Sequence, residues 1–176
     1  MIAFDRRLER WVVHHRWHPL DEVFVWLSRI GTWGAVWLVL GLLLAVVLRR
    51  PRLLLLVGLT AGIADGVASL LQWATGVQRP PLRYAEPAPL VHVPHTGSFP
   101  SGHTTTSFAC ATVIAAAVPR AAPFLYLLAL AIGFSRVYVG VHWPLDVLGG
   151  IALGTATALL LLAGARRISA RRPRPG

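Results

Sequence analysis

Five apolar runs organise the chain, and arginine, proline or glycine closes them off. They cover 33–48, 53–75, 102–118, 122–135 and 144–164. At roughly 14 to 23 residues each, they approach the length a helix needs to cross a bilayer. The pattern predicts an all-α, polytopic membrane helical bundle of five spans. The stretch 4–31, "FDRRLERWVVHHRWHPLDEVFVWLSRIG", instead mixes charges with apolar and aromatic residues. It reads as an interfacial N-terminal segment (1–31), with a sixth, tilted span as the alternative. Residues 76–100 form a loop with six prolines, and loops this long inside a compact domain are usually functional. A basic tail follows at 166–176, so 1–165 is expected to be one membrane-embedded domain.

Composition sharpens this picture. Of 176 residues, 55% are apolar and only seven are acidic, and the net charge is +10. All seventeen basic residues are arginine. Such a charge raises the possibility of a nucleic-acid partner, but the arginines mark the ends of apolar runs rather than a soluble face. The expected partners are therefore the lipid bilayer and a lipid substrate, not nucleic acid. The lone Cys110 lies in an apolar run as a packing residue. No His/Cys/Asp cluster has zinc spacing, so neither a metal nor another cofactor is expected. Charges throughout the first 15 residues argue against a cleavable signal peptide.

With five spans, Arg49, Arg50, Arg52, Arg120 and arginines 166, 167, 171, 172 and 174 share one side, which the positive-inside rule makes cytoplasmic. The polar residues of interest then collect on the extracytoplasmic side. They come in three patches: "GVQRPPLR" with Arg79, "FPSGH" with Ser101, Gly102 and His103, and "SRVYVGVHWPLD" with Arg136, His142 and Asp146. Singly, each has a plain explanation: a snorkelling arginine, a helix cap, an interface histidine. Together they assemble one chemistry. Two guanidinium forks and a helix N-terminus make an anion site, with Gly102 allowing close approach and Ser101 adding a donor. His142 and Asp146, four apart where Pro144 opens a helix, share a face. Asp146 can then fix one imidazole nitrogen and leave the other as a nucleophile, with His103 to protonate a leaving oxygen.

The pattern S-R-x5-H-x3-D at 135–146, P-S-G-H at 100–103 and R-P at 79–80 resembles the type 2 phosphatidic acid phosphatase superfamily. The resemblance implies a metal-independent lipid phosphatase working through a phosphohistidine. It makes His142 the nucleophile, Asp146 its partner and His103 the general acid, with Arg79, Arg136, Ser101 and Gly102 holding phosphate. One position departs: the superfamily's lysine seven residues before the arginine is Gln72 here, a neutral amide, with Arg83 as a possible substitute. Within the superfamily the chain most resembles bacterial undecaprenyl-diphosphate phosphatases, which implies undecaprenyl diphosphate as substrate. The alternatives are a phosphatidic acid or phosphatidylglycerophosphate phosphatase, a vanadate-dependent haloperoxidase, which the spans oppose, and an inactive lipid-binding or transport protein. Two further expectations follow. Asp65 should face the bundle in a structural role, bonded to a hydroxyl such as Thr60 or Ser69, because a carboxylate against lipid is costly. Trp73, Tyr84, Tyr138 and Trp143 read as interface anchors.

Overall fold

The computed structural model describes residues 3–170. Seven helices follow one another: α1 (Ala3–His14), α2 (His18–Ile30), α3 (Ala35–Val47), α4 (Pro51–Thr75), α5 (Gly102–Ala117), α6 (Ala122–Tyr138) and α7 (Pro144–Ala170). No strand occurs among the described residues. Three stretches are long and apolar enough to cross a membrane: Pro51–Leu82, Pro119–Tyr138 and Pro144–Arg167. The pair His18–Ile30 and Thr32–Val47 makes a fourth if it is taken as one span bent by 58°.

Helix boundaries follow local chemistry. Prolines stand in the first turns of α4, α6 and α7, where a missing N–H costs nothing. Gly76 ends α4 at φ +57, the left-handed cap that glycine adopts without a side-chain clash. The core is α5. Every residue from Thr104 to Ala115 is buried, with α4, α6 and α7 packed around it. Small residues permit that closeness. A Cβ on Gly150 of α7 would lie 2.9 Å from the Ser101 carbonyl oxygen, and one on Gly154 3.1 Å from the Ala109 nitrogen. The termini of α4 and α6 and the starts of α5 and α7 thereby meet at one end of the bundle.

Both N-terminal helices pack at the end where those termini meet. α1 lies against α6 and α7. α2 runs from Tyr138, whose hydroxyl accepts the Trp17 N–H and donates to Asp21, to Arg136, which bonds Ser28, before the bend at Thr32–Gly34 leads into α3. α1 buries Asp5 and Glu9 together with Val12 and Val13, and leaves Phe4, Leu8 and Trp11 exposed. Burial pushes the Glu9 carboxyl up to about 7, against the pull of Arg10 and Arg16. The Asp5 carboxyl also rises through burial. At the far end, α7 continues six residues past the expected 164. Arg166 and Arg167 are good helix formers, and neither glycine nor proline interrupts them before Pro173. Of the expected tail, 166–170 is helix, and Arg171, Arg172 and Arg174 lie outside the described residues.

Candidate active site

Where those termini meet, a cavity of about 290 Å³ opens. His142, His103, Arg79, Arg136, Gly102 and Gln72 all line it, arriving from four separate parts of the chain. His142 sits in the α6–α7 turn, 2% exposed. Its Nδ1 lies 3.3 Å from Asp146 Oδ2, one turn into α7. The same carboxylate oxygen accepts the Trp143 N–H at 2.9 Å, which fixes its direction. On the other side of the ring, Arg79 Nη1 donates to Nε2 at 2.8 Å. A guanidinium can only donate, so Nε2 carries the lone pair and Nδ1 the proton shared with Asp146. Burial first, then Arg79 and Arg136, hold the His142 pKa well below its usual value, so the ring stays neutral.

The two arginines are held in unequal ways. Arg79 uses all its donors: Nε to Thr96 O (3.0 Å), Nη1 to Val141 O (3.1 Å) and His142, and Nη2 to Thr96 Oγ1 (3.1 Å) and Gly97 O (3.0 Å). Arg136, 4% exposed, donates through Nη1 to Ser28 Oγ, and its buried Nε has no partner. Neither guanidinium meets a carboxylate. Among the described residues no arginine side chain pairs with a carboxylate, and the His142–Asp146 contact is a hydrogen bond from a neutral ring. Two buried, uncompensated cations beside an imidazole lone pair are costly unless an anion enters between them. His103 stands at the start of α5, its Nε2 3.3 Å from Thr32 Oγ1.

Some expected residues sit elsewhere. Ser101 is fully buried but does not line the cavity. Its N–H donates to Asp146 O at 2.9 Å and its Oγ accepts from Thr104 Oγ1 at 3.0 Å, so it joins α5 to α7. Gln72 lines the cavity and gives one of its two amide N–H groups to Pro100 O at 2.8 Å, latching the loop before α5. Arg83 is exposed and outside the cavity. Asp65 lines the cavity but is exposed, and Thr60 is not its partner: that hydroxyl donates to Leu56 O. Trp143 and Tyr138 are buried rather than interfacial, and Trp143 Nε1 donates to Gln78 O at 2.9 Å.

Sequence reasoning missed Ser28, Thr32 and Thr96, which orient Arg136, His103 and Arg79 from distant positions. It also missed Asp5, whose Oδ1 accepts the Leu145 N–H at 2.9 Å and so caps the turn carrying Asp146. The one available signal was two acids spaced four apart in an otherwise basic helix.

Residues 53–169 match the PAP2 superfamily. The chain is 37% identical over 150 residues to the decaprenylphosphoryl-5-phosphoribose phosphatase of Mycobacterium tuberculosis, covering 83% of this chain and 81% of that one. It is 30% identical over 164 residues to the undecaprenyl-diphosphatase of Sulfolobus acidocaldarius, covering 90% and 77%. In three dimensions it is similar to the PAP2-type phosphatidylglycerolphosphate phosphatase of Bacillus subtilis. That match has a TM-score of 0.76 and 26% identity over 97% of this chain and 88% of the other.

Proposed function

Because this chain belongs to the PAP2 superfamily of membrane lipid phosphatases, we propose that it removes a terminal phosphate from a polyprenyl-linked lipid through a phosphohistidine on His142. The observation that carries this reading is the pair of buried arginines without a carboxylate at a cavity that a neutral imidazole also lines, its lone pair accepting from Arg79. An entering phosphate takes over the Arg79 N–H now bonded to Nε2 and satisfies Arg136. Backbone N–H groups opening α5 at Gly102 and His103 hold further oxygens. Nε2 then attacks phosphorus as the ester oxygen departs, and His103 gives that oxygen its proton. Asp146 steadies the positive phosphoimidazole through Nδ1–H. Water, deprotonated by His103, finally attacks the phosphorus, releasing phosphate and restoring His142.

Two substrates have specific support. The sequence resemblance and the Sulfolobus relative favour undecaprenyl diphosphate, giving undecaprenyl phosphate. The Mycobacterium relative favours a monoester on a sugar head. Five spans fit the bundle if α5, 16 residues and buried from Thr104 to Ala115, crosses with the others and α2–α3 counts as one. The site faces the extracytoplasmic side on this reading, with Arg49, Arg50, Arg52, Arg120, Arg166 and Arg167 at the opposite end. Arg6, Arg7 and Arg10 of α1, on the site's side, narrow that bias.

Phosphate release by purified protein tests the function. The panel is undecaprenyl diphosphate, a polyprenylphosphoryl pentose 5-phosphate, phosphatidic acid and phosphatidylglycerophosphate, each with and without chelator. Release from a polyprenyl substrate that survives chelation is expected. Release from none would favour an inactive lipid-binding protein on this fold.

A further inference from the structure

One wall of the cavity does not suit an anion. Asp65, Ser69 and Gln72 follow one another down a single face of α4, and all three line the cavity beside the arginines and histidines. A Cβ placed on Gly102 would stand 3.7 Å from Asp65 Oδ1 and 3.6 Å from Gln72 Nε2, so the carboxylate reaches the opening turn of α5. No cation pairs with it among the described residues. Thr106, also lining the cavity, has a buried hydroxyl without a partner. Trp33 lines it too, 84% exposed and held at φ +56 in the left-handed region that tryptophan rarely adopts.

Asp65 and Ser69 are exposed on this wall, and a carboxylate here opposes a negative charge brought to the opening turn of α5 a few ångströms away. A leaving group that is itself a phosphate carries such a charge next to the scissile bond. A sugar alcohol does not, and it offers hydroxyl donors that Asp65 accepts, with Ser69 and Thr106 able to donate or accept. The indole face of Trp33 supplies an apolar surface for the C–H face of a sugar ring. Carboxylate, hydroxyls and one exposed indole are a sugar-binding set. On the reading of His142 as the phosphorylated residue, we infer that this wall is a leaving-group subsite selecting phosphate monoesters of a hydroxyl-bearing, sugar-like head over lipid diphosphates.

The test compares kcat/KM of the purified full-length protein on a polyprenylphosphoryl pentose 5-phosphate and on undecaprenyl diphosphate. The wild type should prefer the sugar monoester. Asp65→Asn should lower activity on that substrate about tenfold, mainly through KM, and raise it on the diphosphate several-fold. Ser69→Ala and Trp33→Ala should each erode the preference from the sugar side alone, and they decide the matter if Asp65→Asn does not fold. An unchanged substrate ratio in all three variants, or equal loss on both substrates, overturns the subsite. So does loss of diphosphate turnover that a divalent ion restores, since Asp65 would then hold a cation. Hydrolysis of p-nitrophenyl phosphate separates the two levels: turnover with an unchanged substrate ratio defeats only the subsite, and no phosphate release from any substrate defeats the phosphatase reading itself.

Discussion

The bundle α4–α7 and the N-terminal pair α1–α2 contribute to the same cavity by different means. In the bundle, each reactive side chain stands inside a short motif, so His142 and Asp146 are neighbours in sequence and in space. In α1–α2 and the bend that follows no motif exists, yet Ser28 bonds Arg136 from 108 positions away, Thr32 reaches His103 from 71, and Asp5 caps Leu145 from 140. The difference teaches that the chemistry here is local in sequence while its orientation is not. Removing a bundle residue should therefore stop a step, whereas removing an N-terminal residue should misalign one.

The largest expected effect is in the bundle. His103→Ala should slow turnover by roughly 10²- to 10⁴-fold on an alkyl or sugar phosphate, as loss of a general acid does. The loss should be smaller on a diphosphate, whose leaving oxygen needs no proton. Steady-state rates on both substrates check this, and equal losses would make His103 a phosphate binder instead.

Next comes the N-terminal pair. Ser28→Ala strips Arg136 of its recorded side-chain partner, and hydrogen bonds to charged groups are worth about 1.5–3 kcal/mol. A fall in kcat/KM of roughly tenfold to a hundredfold is expected, with the thermal midpoint little changed. Wild-type kinetics in this variant would reduce α2 to a membrane anchor and dissolve the comparison.

A pH profile sharpens it further. Because burial, Arg79 and Arg136 depress the His142 pKa, the acid limb of kcat/KM should lie below the usual imidazole range, near 6.5. Arg79→Ala removes a positive neighbour that disfavours the imidazolium, so the residual activity should show that limb displaced upward. A limb unmoved by the substitution would assign it to another group.

The smallest effect concerns stability. Glu9 titrates at about 7 in the folded protein against an ordinary 4.5. Between those values the unfolded chain has released the proton that the folded one keeps, so stability falls as pH rises through this window. Glu9→Gln should flatten that fall, raising the melting temperature above pH 7 and leaving it nearly unchanged below pH 4.5. An identical pH dependence in wild type and variant would contradict the burial of that carboxyl.

Much of this was readable in the residues. Apolar runs located the helices of the bundle to within a few positions, because lipid-facing and core-facing residues are both apolar and leave the charges at the ends. The motif spacing brought six candidate residues to one cavity. What stayed hidden depends on partners distant in sequence. Ser101 reads as a phosphate donor in the sequence, but its N–H is given to the Asp146 carbonyl and its side chain lies outside the cavity, a placement that α7 sets from 45 positions away. Trp143 looks interfacial until the Gln78 carbonyl is found against its indole. The buried acids of α1 depart from the usual amphipathic expectation, because Asp5 is held by the Leu145 N–H of a segment 140 positions away.

The central claim is that His142 is covalently phosphorylated. Rapid quenching of the purified protein with terminally ³²P-labelled polyprenyl substrate tests it most directly. The account predicts a label that is stable in base, released by acid, mapped to the peptide carrying His142, and absent from the His142→Ala variant, which should also show no turnover above background. Steady phosphate release by the wild type with no protein-bound label at any quench time, or a label that persists in His142→Ala, would contradict it.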